Sequence, residues 1–217
     1  MTSLKDDGYV WLRNAVAEPD ILNIENLLSK AMMPGQRIKL DTQILSVLNN
    51  EGSIGQRIAP YLENPKATRL VSFDKSNTMN WAVPWHQDRV IAVNEKADLD
   101  GFKSWTRKSE VWHCEPPTDI LENMLFVRLH LDDSTFENGP MEIIPRSHKL
   151  GIIPAVDADA ISNKMASHIC TAKRGDILIM NMLILHRSKP SKNPSPRRTL
   201  RIDYANFDLP FPLEWSS

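Results

Sequence analysis

Three histidines in this 217-residue chain stand two positions before a carboxylate. His86-Gln87-Asp88 and His130-Leu131-Asp132 are HxD pairs, and His113-Cys114-Glu115 is an HxE pair. On an extended segment, residues two apart point to the same side, so an imidazole and a carboxylate can reach one metal ion. Two histidines and one carboxylate leave half of a coordination sphere open. That is the face used for non-haem Fe(II) when it must take a cosubstrate and oxygen together. The third ligand has to come from elsewhere, and His186 is the candidate, at the end of the apolar run 177–185. Ser188 follows two positions later, and Arg197 and Arg198 open the run Thr199-Leu200-Arg201-Ile202-Asp203-Tyr204. A hydroxyl and a guanidinium beside a metal ligand would suit a dicarboxylate, because arginine grips a carboxylate with two hydrogen bonds.

Pattern alone does not choose among the three pairs, but context favours 86/88. Residues 124–132 read as a strand with Leu125, Val127, Leu129 and Leu131 on one face and Met124, Phe126, Arg128, His130 and Asp132 on the other. Asp132 also opens a turn reaching Asn138-Gly139, where aspartate commonly bonds its own backbone, so it reads as structural. Glu115 precedes Pro116-Pro117 in what reads as an irregular loop, a poor platform for a metal ligand.

The elements that must position these residues change character along the chain. Tyr9 to Leu12 reads as a short strand. Pro19 suits the first turn of a helix running to about Met32, with Ile21, Ile24, Leu28 and Ala31 at helical spacing and Pro34-Gly35 as its stop. A second helix is expected near Asp41, and a third over 54–62 behind the capping candidate Ser53. From residue 67 the texture is strand-like, with runs at 70–73, 124–131, 141–144, 177–184 and 200–204. Helices first and strands afterwards predict an antiparallel sandwich or barrel with helices packed outside, residues 1–66 supporting a core at 67–217 in a single domain. Residues 94–120 read as an irregular loop or lid. Its aromatics, Trp105 and Trp112, would either wall a substrate or plug the end of the barrel.

Composition excludes several partner classes. A formal charge of −1 and a pI near 6.6 argue against a nucleic-acid surface. No apolar signal core or membrane-length run is found, which predicts a cytoplasmic protein acting on a small molecule. Cys114 and Cys170 lack CxxC spacing and read as buried thiols. Arg174-Gly175-Asp176 reads as a glycine turn rather than an adhesion signal, and His148 as a turn residue rather than a ligand.

With these residues in view, the sequence resembles the phytanoyl-CoA dioxygenase family of Fe(II)- and 2-oxoglutarate-dependent oxygenases. The resemblance lies in WHQD at 85–88, LHLDDSTFENGPMEIIPRSH at 129–148 and HRSKPSKNPSPRRTL at 186–200, with Arg146 where the family usually has glycine. It implies a mainly β fold, a double-stranded β-helix (jelly-roll, cupin-like) core with N-terminal helices on its outer sheet. It makes His86, Asp88 and His186 the iron ligands, with Arg197 on the distal carboxylate of 2-oxoglutarate and Ser188 assisting. Relatives that transfer halide have a small residue at the position of Asp88, so the resemblance implies hydroxylation, with 2-oxoglutarate and O2 consumed and succinate and CO2 released. Arg128 stands where several relatives have tryptophan, and would grip the other carboxylate of 2-oxoglutarate or an anionic substrate. Strand parity groups Arg198 with Leu200, Ile202 and Tyr204 and leaves open which arginine points inward, while spacing from His186 in the family favours Arg197. Trp85, Arg89, Trp105 and His113 are the expected substrate-pocket residues, suited to a modest organic molecule bearing an anionic group; a CoA ester is allowed by the family name only. The alternatives are an iron oxygenase or isomerase that does not use 2-oxoglutarate, and a non-catalytic metal- or metabolite-binding jelly roll.

Overall fold

The computed structural model describes residues 2–29, 35–74, 82–192 and 196–216. The chain opens with one helical turn, α1 (Leu4–Asp7), capped by the Ser3 hydroxyl and ended by Gly8 at φ +82°. This delivers β1 (Tyr9–Leu12), the expected first strand, to the edge of the main sheet. Helix α2 (Glu18–Leu28) carries Pro19 in its first turn, where the missing N–H has no helical partner to lose, and buries Ile21, Ile24 and Leu28. The expected extension to Met32 and the Pro34 stop lie outside the described residues. After β2 (Arg37–Ile38), α3 (Thr42–Leu48) starts where Asp41 accepts the Ile44 N–H. The third helix is shorter than its apolar pattern: α4 covers Gly55–Ile58, with Ile54 rather than Ser53 at its cap. A Cβ at Gly55 would fall 1.8 Å from the Asn49 carbonyl oxygen, so the turn containing Ser53 packs directly on the end of α3.

Strands β3 (Lys66–Asp74), β4 (Val83–His86), β5 (Ile91–Val93), β6 (Lys103–Lys108) and β7 (Val111–Glu115) follow, then α5 (Thr118–Glu122), β8 (Leu125–His130) and β9 (Met141–Ile144). The last elements are α6 (Ala158–Ser162), β10 (His168–Cys170), β11 (Ile177–Asn181), β12 (Leu185–Ser188) and β13 (Arg198–Ala205). Among the described residues the main sheet has the order β1-β11-β8-β13-β3-β2, a second sheet β10-β9-β12-β4, and a flanking sheet β5-β7-β6. All pairings are antiparallel. This is the jelly-roll core that the sequence predicts.

Alternation along the strands separates two interiors. Leu125, Val127 and Leu129 of β8, Ile177 and Ile179 of β11, and Leu200, Ile202 and Tyr204 of β13 pack with α2, α3 and α4 on the outer face of the main sheet. Tyr204 also donates its hydroxyl to the Leu48 carbonyl at 2.9 Å, tying β13 to α3. Phe126, Leu178 and Met180 face the other way, into the space between the sheets. Burying one such leucine or isoleucine side chain stabilises the fold by roughly 1.5–3 kcal/mol. The core is therefore large enough to tolerate a polar cleft at its centre.

Two expectations are corrected. Residues 94–120 are not an irregular lid, since the segment is built around the hairpin of β6 and β7, with Trp105 and Trp112 edge to face at 6.4 Å. The run 177–184 is not one strand, because β11 ends at Asn181, a turn follows, and β12 enters the second sheet at Leu185. His186 thus lies within its own strand rather than at the rim of an apolar one. No helix among the described residues is long and apolar enough to cross a membrane.

Candidate metal centre

His86 closes β4 and His186 is the second residue of β12, and the two are register partners across the second sheet. Their ring centroids are 4.2 Å apart. Asp88, two residues past His86, brings Oδ2 to 3.2 Å from His186 Nε2. One ligand atom from each of the three lies within 4.8 Å of the others, and among the described residues no other group of three potential ligands gathers in this way.

The backbone fixes how the rings face. His86 Nδ1 lies 2.8 Å from the Pro84 carbonyl oxygen, and His186 Nδ1 lies 3.0 Å from that of Ile184. A carbonyl only accepts, so Nδ1 carries the proton and Nε2 turns its lone pair to the centre. Such an outer hydrogen bond on a ligating histidine sets its tautomer and orientation. Asp88 Oδ2 is buried and accepts no hydrogen bond, facing lone pairs that a cation would bridge. Its Oδ1 is held by Arg201 Nη1 at 2.6 Å. Burial opposes the charge on Asp88, but the Arg201 guanidinium holds its carboxyl well below the usual carboxylate range. Burial, with His186 alongside, lowers the pKa of His86, which favours the neutral ring a metal needs. Two imidazole nitrogens and one carboxylate oxygen, ionised and unshared, fit Fe(II).

Gln87, between the ligands, points the opposite way and uses all of its amide. Nε2 donates to the Gly151 and Leu183 carbonyls at 2.8 and 2.7 Å, and Oε1 accepts the Ile153 N–H at 2.7 Å. It pins the HxD segment onto the turn between β11 and β12, a role invisible before the fold is known. Trp85 also points away from the centre, contrary to its expected place in a substrate pocket. It packs with Ile144, Ile153, Ala158 and Leu185 outside the second sheet, with the Arg187 guanidinium 4.4 Å above its ring. Alternation makes this unavoidable once His86 points inward.

Neither rival pair belongs to a group of three potential metal ligands among the described residues. His130 is buried beside Trp11, with ring centroids 5.8 Å apart. Asp132 is structural as expected, though not through its own turn: it accepts the Arg198 N–H at 2.8 Å and the Arg198 guanidinium at 2.8 and 2.9 Å. Asp133 instead holds Lys173 and the Arg174 N–H. Glu115 sits on β7 rather than in a loop, 3.9 Å from Arg89 and 3.6 Å from Lys103. In the Arg174-Gly175-Asp176 turn, Arg174 is engaged by Glu18 and Glu25, and Asp176 is buried against Arg13 and the Asn14 N–H. His148 lies in a 3-10 turn and reaches the Lys5 carbonyl.

A cleft of about 460 Å³, counted out to solvent, opens above the triad, lined by Phe73, Val83, Phe126, Met141, Arg187, Ser188, Arg128, Arg197 and Arg201. Arg197 is 2% exposed, and burial pushes its pKa down to about 10 although Asp74 supports its charge. Arg128 donates to the Thr199 hydroxyl at 2.7 Å and lies over Phe73, and burial, with Arg197 and Arg201 nearby, pushes it down to about 9. The Nε of each is buried without a partner among the described residues. Arg198 points out to Asp132 and Glu25. The outer face of β13 is thus the apolar one, and the row Arg197, Thr199, Arg201 faces the cleft. Arg201 was not singled out from the sequence, although its spacing of four from Arg197 carries the signal. Arg89, Trp105 and His113, the other expected pocket residues, do not line this cleft.

Comparison with known proteins agrees with this geometry. The model of the phytanoyl-CoA dioxygenase family matches residues 4–199. No curated protein matches the chain by sequence. Among solved structures, the non-heme α-ketoglutarate-dependent epimerase SnoN from nogalamycin biosynthesis superposes with a TM-score of 0.64 at 15% identity, covering 93% of this chain and 80% of that one. The α-ketoglutarate-dependent carbocyclase SnoK from the same biosynthesis gives 0.62 at 14%, covering 94% and 82%. HygX from Streptomyces hygroscopicus, with nickel and 2-oxoglutarate bound, gives 0.61 at 10%, covering 94% and 85%. These likenesses are of fold, and the family match, spanning most of the sequence and ending among the β13 residues that face the cleft, is what places the protein: the chain belongs to the phytanoyl-CoA dioxygenase family.

Proposed function

We propose that the chain forms one oxygenase domain that hydroxylates a small organic substrate using Fe(II), 2-oxoglutarate and O2. The observation that carries this reading is the pairing of an open two-histidine, one-carboxylate cluster with the buried guanidinium of Arg197, which has no carboxylate within ion-pair distance among the described residues, in the same cleft. When bound, the iron supplies the chemistry by which 2-oxoglutarate becomes succinate and CO2 and an oxygen atom is delivered to substrate. The chain's own residues prepare for it. His86, Asp88 and His186 hold the metal. Arg201 draws on Asp88 Oδ1 and leaves Oδ2 for the ion. Arg197 and Ser188 take the distal carboxylate of 2-oxoglutarate, and Arg128 neutralises negative charge deeper in the cleft. Phe73, Phe126 and Met141 keep the site poor in water, which strengthens each of these contacts.

Hydroxylation, rather than the epimerase or carbocyclase outcome named for SnoN and SnoK, is supported by no more elaborate machinery than the triad and the clamp. Asp88 completes the carboxylate ligand, which argues against halide transfer. The test is succinate formation by purified protein with Fe(II), 2-oxoglutarate and a substrate panel, followed by product mass. A product one oxygen heavier is expected; an isomer or a product lighter by two hydrogens would redirect the reading. His86→Ala and Asp88→Ala should each abolish Fe(II) binding and succinate formation. If metal affinity survives in both, the site is elsewhere, and if Arg197→Ala keeps full activity, 2-oxoglutarate is not the cosubstrate.

A further inference from the structure

Past the cleft, the inward row of β13 continues to a second group of cations. Arg197, Thr199, Arg201 and Asp203 share one side of the strand, so the ends of this row are about 20 Å apart at the usual rise per residue. At the far end, Asp203 is gripped by Arg201 at 2.8 and 3.0 Å, and Arg69, its register partner on β3, brings Nη1 to 3.9 Å. Arg69 Nη1 also reaches the Val90 carbonyl at 3.5 Å, which sets it under the segment leaving Asp88. One strand further, Arg37 of β2 donates Nη2 to the Ser216 carbonyl at 2.8 Å. His113 approaches from the flanking sheet, its Nδ1 against the Val111 carbonyl, leaving Nε2 to face outward from that bond. Ala92 is the register partner of His113 and its carbonyl accepts the Ser216 N–H at 3.1 Å, so Arg37, on the Ser216 carbonyl, and His113 meet at the same stretch of chain, two residues past the Val90 carbonyl that Arg69 reaches.

The charges here do not balance. Arg201 is shared between Asp88 and Asp203, with Arg69 as the second cation on Asp203, and Glu115, on the same side of β7 as His113, lies between Arg89 and Lys103. Arg37 has no carboxylate within ion-pair distance among the described residues. Arg37 Nη1 and Arg69 Nε are buried without hydrogen-bond partners among them. Yet the Arg69 side chain is 22% exposed, so the cluster can be reached from solvent. Buried guanidinium N–H groups demand an acceptor, and an oxyanion supplies two at once.

We propose that Arg37, Arg69 and His113 form a second anion site that binds a carboxylate or phosphate of the primary substrate. The substrate then spans the metal triad, with its anion at the end of β13 opposite Arg197. This deepens the proposed function and rests on Arg197 being the 2-oxoglutarate clamp. The test uses protein loaded with Ni(II), which does not react with oxygen, and saturated with 2-oxoglutarate to fill the Arg197 end. It is titrated calorimetrically with acetate and, separately, with sulfate as a stand-in for a phosphate ester. At least one of the two should bind at one site per chain, and the stronger of them names the anion class. Arg69→Met should weaken that binding at least tenfold, Arg69→Lys should restore part of it, and thermal melting should show both variants folded. The proposal is overturned if neither anion binds the loaded protein, or if Arg69→Met binds as tightly as the parent. If 2-oxoglutarate itself fails to bind, the proposed function falls. The same titration without 2-oxoglutarate, comparing Arg69→Met with Arg197→Met, then decides the second site separately: loss in Arg69→Met alone supports it, and loss in Arg197→Met alone overturns it.

Discussion

At the scale of single residues, the adjacent pair Arg197 and Arg198 shows how strand parity sorts chemistry from scaffolding. Arg197 lies in the cleft without a carboxylate within ion-pair distance among the described residues, while Arg198 is engaged by Asp132 and Glu25. Hydrogen bonds to charged groups contribute roughly 1.5–3 kcal/mol. Arg197→Met is therefore expected to weaken 2-oxoglutarate binding by roughly 10–150-fold. Arg198→Met should leave that affinity unchanged and reduce unfolding free energy by at most about 1 kcal/mol, because its partly exposed ion pairs are screened by solvent. Calorimetry and urea unfolding read the two effects independently. His130 offers a pH test of the buried sheet face. Burial, reinforced by Arg128, Arg197 and Arg13, holds its pKa well below the ordinary histidine value. The unfolded chain takes up this proton first as pH falls below about 6.5, so stability is lost from there down through the depressed folded value, by up to about 1.4 kcal/mol per pH unit. His130→Phe, which keeps a ring against Trp11, should flatten that slope by about one proton; equal slopes in urea unfolding across pH 4.5–6.5 would remove His130 from the explanation.

At the scale of elements, what was legible followed from side-chain pattern, and what was missed lacked one. The alternation in β8 separated the apolar outer row from Phe126 and Arg128 without help from the structure. The same alternation in β13 was ambiguous only because the helices' position was unknown. Once α2 to α4 cover the outer sheet face, the apolar parity of Leu200, Ile202 and Tyr204 must face them, and Arg197 must face in. The β6–β7 hairpin gave no such signal. In β6 only Trp105 is even partly buried, and the turn Ser109-Glu110 has φ of +47° and +65° without the Asn-Gly that usually marks this two-residue shape. Replacing Ser109-Glu110 by Asn-Gly should stabilise the hairpin by about 1 kcal/mol, since neither native residue favours the left-handed region. A rise in melting temperature with unchanged metal affinity is the expected result. The β11–β12 break was hidden for the opposite reason, since Met182, Leu183 and Ile184 are as buried as the strands they join.

At the scale of the whole molecule, the site is assembled from both sheets. The second sheet supplies His86 and His186 in register, and the main sheet supplies Arg128, Arg197 and Arg201. Motif spacing pointed to the proposed ligands and the proposed clamp. It could not reveal the groups that hold them, Gln87 and Arg201 above all, because their partners lie far away in sequence. Nor could it place Trp85, whose direction depends on which side of β4 becomes the interior.

The two-sided use of β13 limits how this gene can change. One added residue between Arg198 and Asp203 would turn every later side chain over, carrying Asp203 toward the helices and Ile202 and Tyr204 into the cleft. Stability and chemistry would be lost in one step, so an alanine inserted after Thr199 should yield no folded protein by circular dichroism. Point substitutions can tune the clamp and the far anion cluster one position at a time; insertions and deletions in this strand have no viable intermediate length.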